Sequence, residues 1–249
     1  QDYSRFLPDS LVGTLNREKV LKNPTAEMIA MLNYAIHMYE SSRGLFNISI
    51  GAQLEKDGYG MSHQENSSVS HDLTRDIAVS KNEIILAPHL RIDFGGFGKG
   101  WLVDKVHDLL SNMGLPDHIV NGGGDIRVGE VAQEIHVENP LHEGYALGTL
   151  TLCNEAFAGS SNLKRMWKTP QGKRRAHIIS PRGDALSDDV VQVCVRAKTC
   201  LEADTYATIG FLQAQSSLAE LESQTSRDFA VIYSDGRVTI TPGFGLRAI

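Results

Sequence analysis

Apolar residues recur at helical spacing in three stretches of the chain and at alternating or continuous positions in many shorter ones. From Thr25 to Arg43, Met28, Met31, Leu32, Ala35, Ile36 and Tyr39 fall on one face, with Pro24-Thr25 at the start and Gly44 placed to end the helix. Trp101 to Leu110 reads as a second amphipathic helix that Gly114 terminates, and a third runs from Thr199 to about Ser223. Thr199 with Glu202 three residues on forms a capping box. Strands are predicted at Glu83–Leu86, His118–Asn121, Gln133–Val137, Thr149–Cys153, His177–Ser180, Val190–Ala197, Phe229–Tyr233 and Arg237–Thr241, with Asp235-Gly236 as the turn of a closing hairpin. Residues 56 to 81 are polar and read as a long irregular excursion. Many short strands with few helices between them predict an α+β fold of largely antiparallel or mixed sheets with packed helices. No linker divides residues 1 to 249, so a single unit is expected.

Composition narrows the function classes. The 249 residues are 41% hydrophobic and 22% charged, ordinary values for a globular protein, with a net charge of −6. The basic residues are dispersed except for Lys173-Arg174-Arg175, the shoulder of a turn, which disfavours a nucleic-acid partner. No run approaches the roughly 20 apolar residues of a membrane span. Three cysteines, Cys153, Cys194 and Cys200, lack the C-x-x-C spacing of a zinc cluster, and Cys153 and Cys194 read as small buried strand residues.

The densest chemical signal is Asp93-Phe-Gly-Gly-Phe-Gly-Lys-Gly100, four glycines leading into the second helix. Such a turn can gather free N–H groups and the positive end of a helix dipole around a phosphate, or it can be a structural turn. It is not a Walker loop, because Asp93 stands where the first glycine is needed and Gly100 where Ser or Thr is needed. Nor does Gly122 open a dinucleotide fingerprint, whose third glycine position holds Arg127. On the third helix Asp204 and Thr208 share a face and offer oxygen ligands to a hard cation such as Mg²⁺. An Asp in a first helical turn equally serves the dipole. Asn121-Gly-Gly-Gly-Asp125 is a second glycine-dense turn, and His177 reads as an imidazole on an apolar strand ending at Pro181.

The order of these segments resembles the ApbE-type FAD:protein FMN transferases. Residues 93–104 are similar to that family's Asp-Leu-Gly-Gly-Ile-x-Lys-Gly-Tyr-x-Val-Asp block, 121–128 to its Gly-Gly-Asp-Ile-Arg segment, 177–182 to its His-Ile-Ile-Asp-Pro-Arg motif and 202–208 to its Ala-Asp-Ala-x-x-Thr helix. Upstream, 44–51 resembles Gly-x-Phe-Asp-x-x-Val-Gly, and Phe6-Leu-Pro-Asp-Ser10 with Leu15-Asn16 resembles Tyr-x-Pro-Asp-Ser…Leu-Asn; Pro242-Gly-Phe244 fits the ending.

The resemblance implies Mg²⁺-dependent transfer of the FMN half of FAD to a Ser or Thr hydroxyl of an acceptor flavoprotein, with release of AMP. The alternatives are hydrolysis of FAD to FMN and AMP, or FAD binding without catalysis. It implies a metal held by the Gly96 carbonyl, Asp204 and Thr208, and FAD contacts at Phe6, Leu45, Phe46, Asn47, Asp93, Lys99 and Ile179. His177 or Asp204 would be the base. A periplasmic or lipoprotein-anchored location is implied too, and the family's first strand and helix would precede Gln1. Four departures from the family pattern stand out: Asn47 for Asp, Ser180 for Asp, Ala207 for a further carboxylate in some members, and Ala158-Gly159-Ser160 for Ala-Thr-Ser.

Overall fold

A computed structural model describes residues 2–60, 67–163, 166–169, 172, 174–186, 188–214 and 227–248. In chain order the elements begin α1 (Leu11–Glu18), β1 (Val20–Lys22), α2 (Ala26–Ser41), α3 (Gly51–Lys56), α4 (Leu73–Asp76), β2 (Ile77–Val79), β3 (Glu83–Leu86) and α5 (Gly98–Asn112). They continue with β4 (Ile119–Asn121), β5 (Ile126–Val128), β6 (Gln133–Glu138), β7 (Ala146–Leu152), β8 (Ala156–Ser161), β9 (Met166–Lys168) and β10 (Arg174–Ala176). The last are β11 (Val190–Ala197), α6 (Cys200–Ala214), β12 (Asp228–Tyr233), β13 (Val238–Ile240) and β14 (Arg247–Ala248).

These elements form two compact units, Gln1–Gly95 with Arg165–Ala185, and Gly96–Lys164 with Leu186–Ile249. Both are discontinuous in sequence, so no linker composition announces the division. Every strand pairing described is antiparallel, which makes the chain the α+β protein its patterning predicts.

The first unit carries a three-stranded sheet in the order β1-β3-β2 and the β10-β9 hairpin. Thr25 caps α2 by accepting from the Met28 N–H, and Met28, Met31, Leu32, Ala35 and Met38 are its buried positions. Gly44, at φ +81°, closes the helix by donating to the Tyr39 carbonyl at 2.7 Å. The second unit has three layers. Its six-stranded sheet, β13-β12-β11-β8-β5-β4, packs one face on the three-stranded sheet β14-β7-β6 through Val128, Val137, Leu150, Phe157, Cys194 and Phe244, all buried. Its other face carries α6, where Ser160 of β8 meets Thr208.

Several expectations need correction. The polar stretch 56–81 holds the one-turn α4, capped by Asp72, and the strand β2, whose short apolar run Ile-Ala-Val is too brief to show a period. No strand covers 177–180: β10 ends at Ala176, and Ser180 starts a turn in which its carbonyl accepts from Gly183 at 3.0 Å, with Gly183 at φ +78°. Pro181 has no N–H to extend a ladder there. Cys153 lies just past the end of β7 and is exposed, its thiol donating to the Glu130 carbonyl, whereas Cys194 is buried as expected. The capping box at α6 is half formed: Thr199 accepts from the Glu202 N–H at 3.2 Å, while the Glu202 side chain pairs with Arg227. The expected end of this helix, near Ser223, lies outside the described residues.

Candidate functional site

The segment Asp93–Gly100 is divided by its own glycines, because the chain leaves the first unit at Gly95 and enters the second at Gly96. Phe94 and Phe97, both buried, anchor the two ends. Gly98, Lys99 and Gly100 are not loop: they are the first turn of α5, whose N-cap position, Phe97, offers no side-chain acceptor. Gly100 is there for packing. A Cβ on it would stand 2.4 Å from the Cys200 carbonyl oxygen and 2.9 Å from the Asp204 Cβ, so only glycine lets α6 come this close.

That approach builds a cluster of charges in the second unit. Asp204 accepts from the Gly100 N–H at 3.0 Å. Thr199 is the N-cap of α6, so Asp204 lies in its second turn and serves the start of α5 rather than its own helix. The Lys99 ammonium contacts the Asp125 carboxylate and stands 3.7 Å from Asp204 Oδ1. Burial, then the Asp125 carboxylate, push the Asp204 carboxyl well above the usual range, against the pull of Lys99 and the Gly100 N–H. One turn along α6, Thr208 Oγ1 lies 3.3 Å from Ser160 Oγ. The Ala-Gly-Ser departure thus leaves a hydroxyl beside Thr208, and the Ala207 departure fills a fully buried position between Asp204 and Thr208.

Asp125 is the residue that the sequence did not single out. Its turn is shaped to deliver it: the Asn121 side chain accepts from the N–H groups of Gly123 and Gly124, which sit at φ +83° and +103°, and Gly122 donates to the Asp125 carbonyl. Asp104, the last residue of the 93–104 block, has a role that its spacing in the sequence does not show. Its carboxylate accepts from the Cys200 and Leu201 N–H groups at 2.8 Å each, capping α6 from the body of α5.

In the first unit, Asp93 accepts from Arg5 Nε and from the Gly95 N–H. Arg5 also donates to the Tyr59 carbonyl and lies 3.6 Å from Glu55, which binds Arg91 at 2.8 Å. Phe6 is 54% exposed, with the Arg5 guanidinium 4.2 Å from its ring centre and Tyr59 edge-on at 5.7 Å. Tyr59 stacks on Trp167 at 4.6 Å, extending an aromatic surface that begins at Phe6. Phe46 is buried and Leu45 half-buried. Asn47 caps the short turn 48–50, accepting from the Ser49 N–H and hydroxyl, while its amide donates to the Ser70 carbonyl at 2.9 Å. Aspartate could make the first two bonds but not the third, which accounts for Asn47 here. Ser180 replaces aspartate conservatively, its hydroxyl accepting from the Arg182 N–H at 3.2 Å. Ile179 and His177 are half-buried in this unit, after β10.

The oxygens of Asp204, Thr208 and Ser160 are hard donors of the kind Mg²⁺ takes. Among the described residues no group of three His, Cys, Asp or Glu side chains is placed to hold a metal. A cation here would therefore depend on hydroxyl, carbonyl and water oxygens beside one or two carboxylates, which suits the few protein ligands Mg²⁺ commonly keeps. Among the described residues, no helix is long and apolar enough to cross a membrane.

Comparison with known proteins gives a consistent result. The model of the ApbE family matches residues 1–232. A Klebsiella pneumoniae protein named FAD:protein FMN transferase is 26% identical over 223 residues, covering 84% of this chain and 68% of its own. A Vibrio cholerae protein of the same name is 24% identical over 204 residues, covering 74% of this chain and 60% of its own. The chain thus spans about three fifths to two thirds of these relatives' length. Among solved structures, the ApbE protein of Thermotoga maritima superposes with a TM-score of 0.85 at 19% identity, covering 98% of this chain and 85% of that one. The flavin transferase ApbE of Vibrio cholerae gives 0.77 at 20% identity, covering 98% and 84%. These likenesses show a shared fold.

Proposed function

The chain belongs to the ApbE family, and on that premise we propose that it is a Mg²⁺-dependent flavin transferase. It would move the FMN half of FAD to a Ser or Thr hydroxyl of an acceptor flavoprotein and release AMP. The observation that supports this most is the gathering of Lys99, Asp125, Asp204, Thr208 and Ser160 at the start of α5. Attack on a phosphoanhydride needs positive charge near the phosphates and a fixed polar frame around them. Lys99 supplies the first from the chain itself. In this reading the Gly96 carbonyl, Asp204 and Thr208 hold Mg²⁺, whose role when bound is to neutralise phosphate charge. Phe6, Leu45, Phe46, Asn47, Asp93, Lys99 and Ile179 contact FAD.

The bond-making is simple to balance. The acceptor hydroxyl oxygen bonds the FMN phosphorus, the bond from that phosphorus to the AMP phosphate oxygen breaks, and the hydroxyl proton passes to His177 or Asp204. Incubation with FAD, Mg²⁺ and a flavin-acceptor domain tests the reading. The expected outcome is a covalent fluorescent adduct with stoichiometric AMP, abolished by Asp204→Ala. Free FMN and AMP with or without acceptor would make the protein a pyrophosphatase, and intact FAD after hours would make it a binder. The same reading puts the protein in the periplasm or on a lipoprotein anchor; recovery from the cytosol alone on cell fractionation would sink that part.

A further inference from the structure

Lys99 is placed where it can oppose the metal it is meant to assist. Its side chain is 37% exposed and reaches inward to two buried carboxylates, Asp125 and Asp204, whose side chains are 2% and 5% exposed. It contacts Asp125 and is 3.7 Å from Asp204 Oδ1. At 3.7 Å the ammonium already pairs loosely with Asp204, and without Asp125 it would close fully on the one carboxylate that shares a helix face with Thr208. We propose that Asp125 is a positioning residue that prevents this: by holding the Lys99 ammonium, it leaves the Asp204–Thr208 face open to a divalent cation. The inference rests on the flavin-transfer reading.

The surrounding structure supports a fixed Asp125. The Asn121 side chain clasps the turn through Gly123 and Gly124, both in left-handed backbone geometry that other residues rarely adopt. Gly122 lies against α5, where a Cβ would stand 2.6 Å from Val103 Cγ2, so the hairpin β4–β5 is seated tightly on the helix that carries Lys99. Asp204 is held separately, by the Gly100 N–H. The turn that carries Asp125 and the Asp204 carboxylate therefore have independent supports, and Lys99 bridges the two. Removing the Asp125 charge would release Lys99 onto Asp204 and leave a pair of net zero charge, a poor site for a dication.

A double-mutant cycle read as Mn²⁺ affinity, by electron paramagnetic resonance of free Mn²⁺ with no FAD present, tests this. Asp125→Asn is expected to weaken Mn²⁺ binding roughly tenfold. Lys99→Met is expected to strengthen it by a factor roughly ten times larger in the Asp125→Asn background than in the wild type, which is the coupling of two residues in contact. Equal factors in both backgrounds would mean that Asp125 acts on the ion directly or through space, and an unchanged affinity in Asp125→Asn would mean it has no part; either overturns the proposal. If Asp125→Asn unfolds, Asp125→Ser goes through the same cycle. A wild-type protein that binds no Mn²⁺ overturns the metal part of the function reading and this inference with it, a result distinct from the others.

Discussion

Asp104 and Asp204 cap each other's helices. The Asp104 carboxylate on α5 accepts from the first two N–H groups of α6, and Asp204 on α6 accepts from the third N–H of α5. Each helix start would otherwise present unpaired donors in a partly buried place. The exchange fixes the rotation of α6 relative to α5, and with it the direction in which the Asp204–Thr208 face points relative to Lys99.

Asp104→Asn keeps one acceptor and turns an amide N–H toward the second donor, so it should cost about 1–2 kcal/mol of stability. Urea denaturation measures this. An unchanged midpoint and slope would show that the Asp104 bonds are replaced by water without loss.

Gly100→Ala sets two effects against each other. Helix propensity alone favours alanine by about 1 kcal/mol. The added Cβ would meet the Cys200 carbonyl oxygen at 2.4 Å, and backbone on both sides cannot swing away. Overpacking of this kind costs about 1–3 kcal/mol, so the variant should be destabilised and should bind a divalent cation less well. A stabilised variant would mean that α5 and α6 lie further apart than described.

Much of this was legible in the sequence, and the part that was not has a physical reason. The helix α2 shows its buried face at a 3.6-residue period, and Thr25, Gly44 and Thr199 mark helix ends. In α5 the apolar stripe Leu102, Val106 and Leu109 is instead the exposed face, and α6 is buried at Ala203, Asp204, Thr205 and Ala207 alike, so neither buried face is read from its period. The strand β8 is Ala-Phe-Ala-Gly-Ser-Ser, in which all but Phe157 are small residues of low strand propensity; Phe157 is buried between the two sheets, while Ser160 faces α6. Asp204 and Thr208 could be paired from a four-residue spacing. Asp125 could not be joined to Lys99, because 26 residues and a strand separate them and only the seating of the β4–β5 hairpin brings them together. Asp204 was legible as an acid on a helix, but not as the cap of a different helix.

Asn47 offers a test in which the family's own residue should be harmful. Asn47→Asp keeps the acceptor for Ser49 but turns a carboxylate oxygen toward the Ser70 carbonyl, at a position only 7% exposed. The lost bond and the buried repulsion should cost about 1–3 kcal/mol. Thermal melting at neutral pH checks this, and a higher melting temperature would refute the account given for this departure.

His107 predicts how stability depends on pH. It is buried on α5, its Nδ1 2.9 Å from Nε2 of His118, whose own Nδ1 donates to the Leu115 carbonyl at 2.6 Å. With His118 neutral, Nε2 is an acceptor and His107 Nδ1 must carry the hydrogen. Burial, then the Arg127 charge, hold the His107 imidazolium below its ordinary range of about 6.5. Asp108 and Asp104 oppose them, without reversing the sign. The unfolded chain therefore takes up this proton first as pH falls. Stability is full above about 6.5 and drops as pH falls from there through the lowered folded-state value. His107→Gln, which keeps a hydrogen-bonding side chain but cannot titrate, should flatten that slope between pH 7.5 and 5 in urea titrations. The same slope in variant and wild type would assign the pH dependence to other groups.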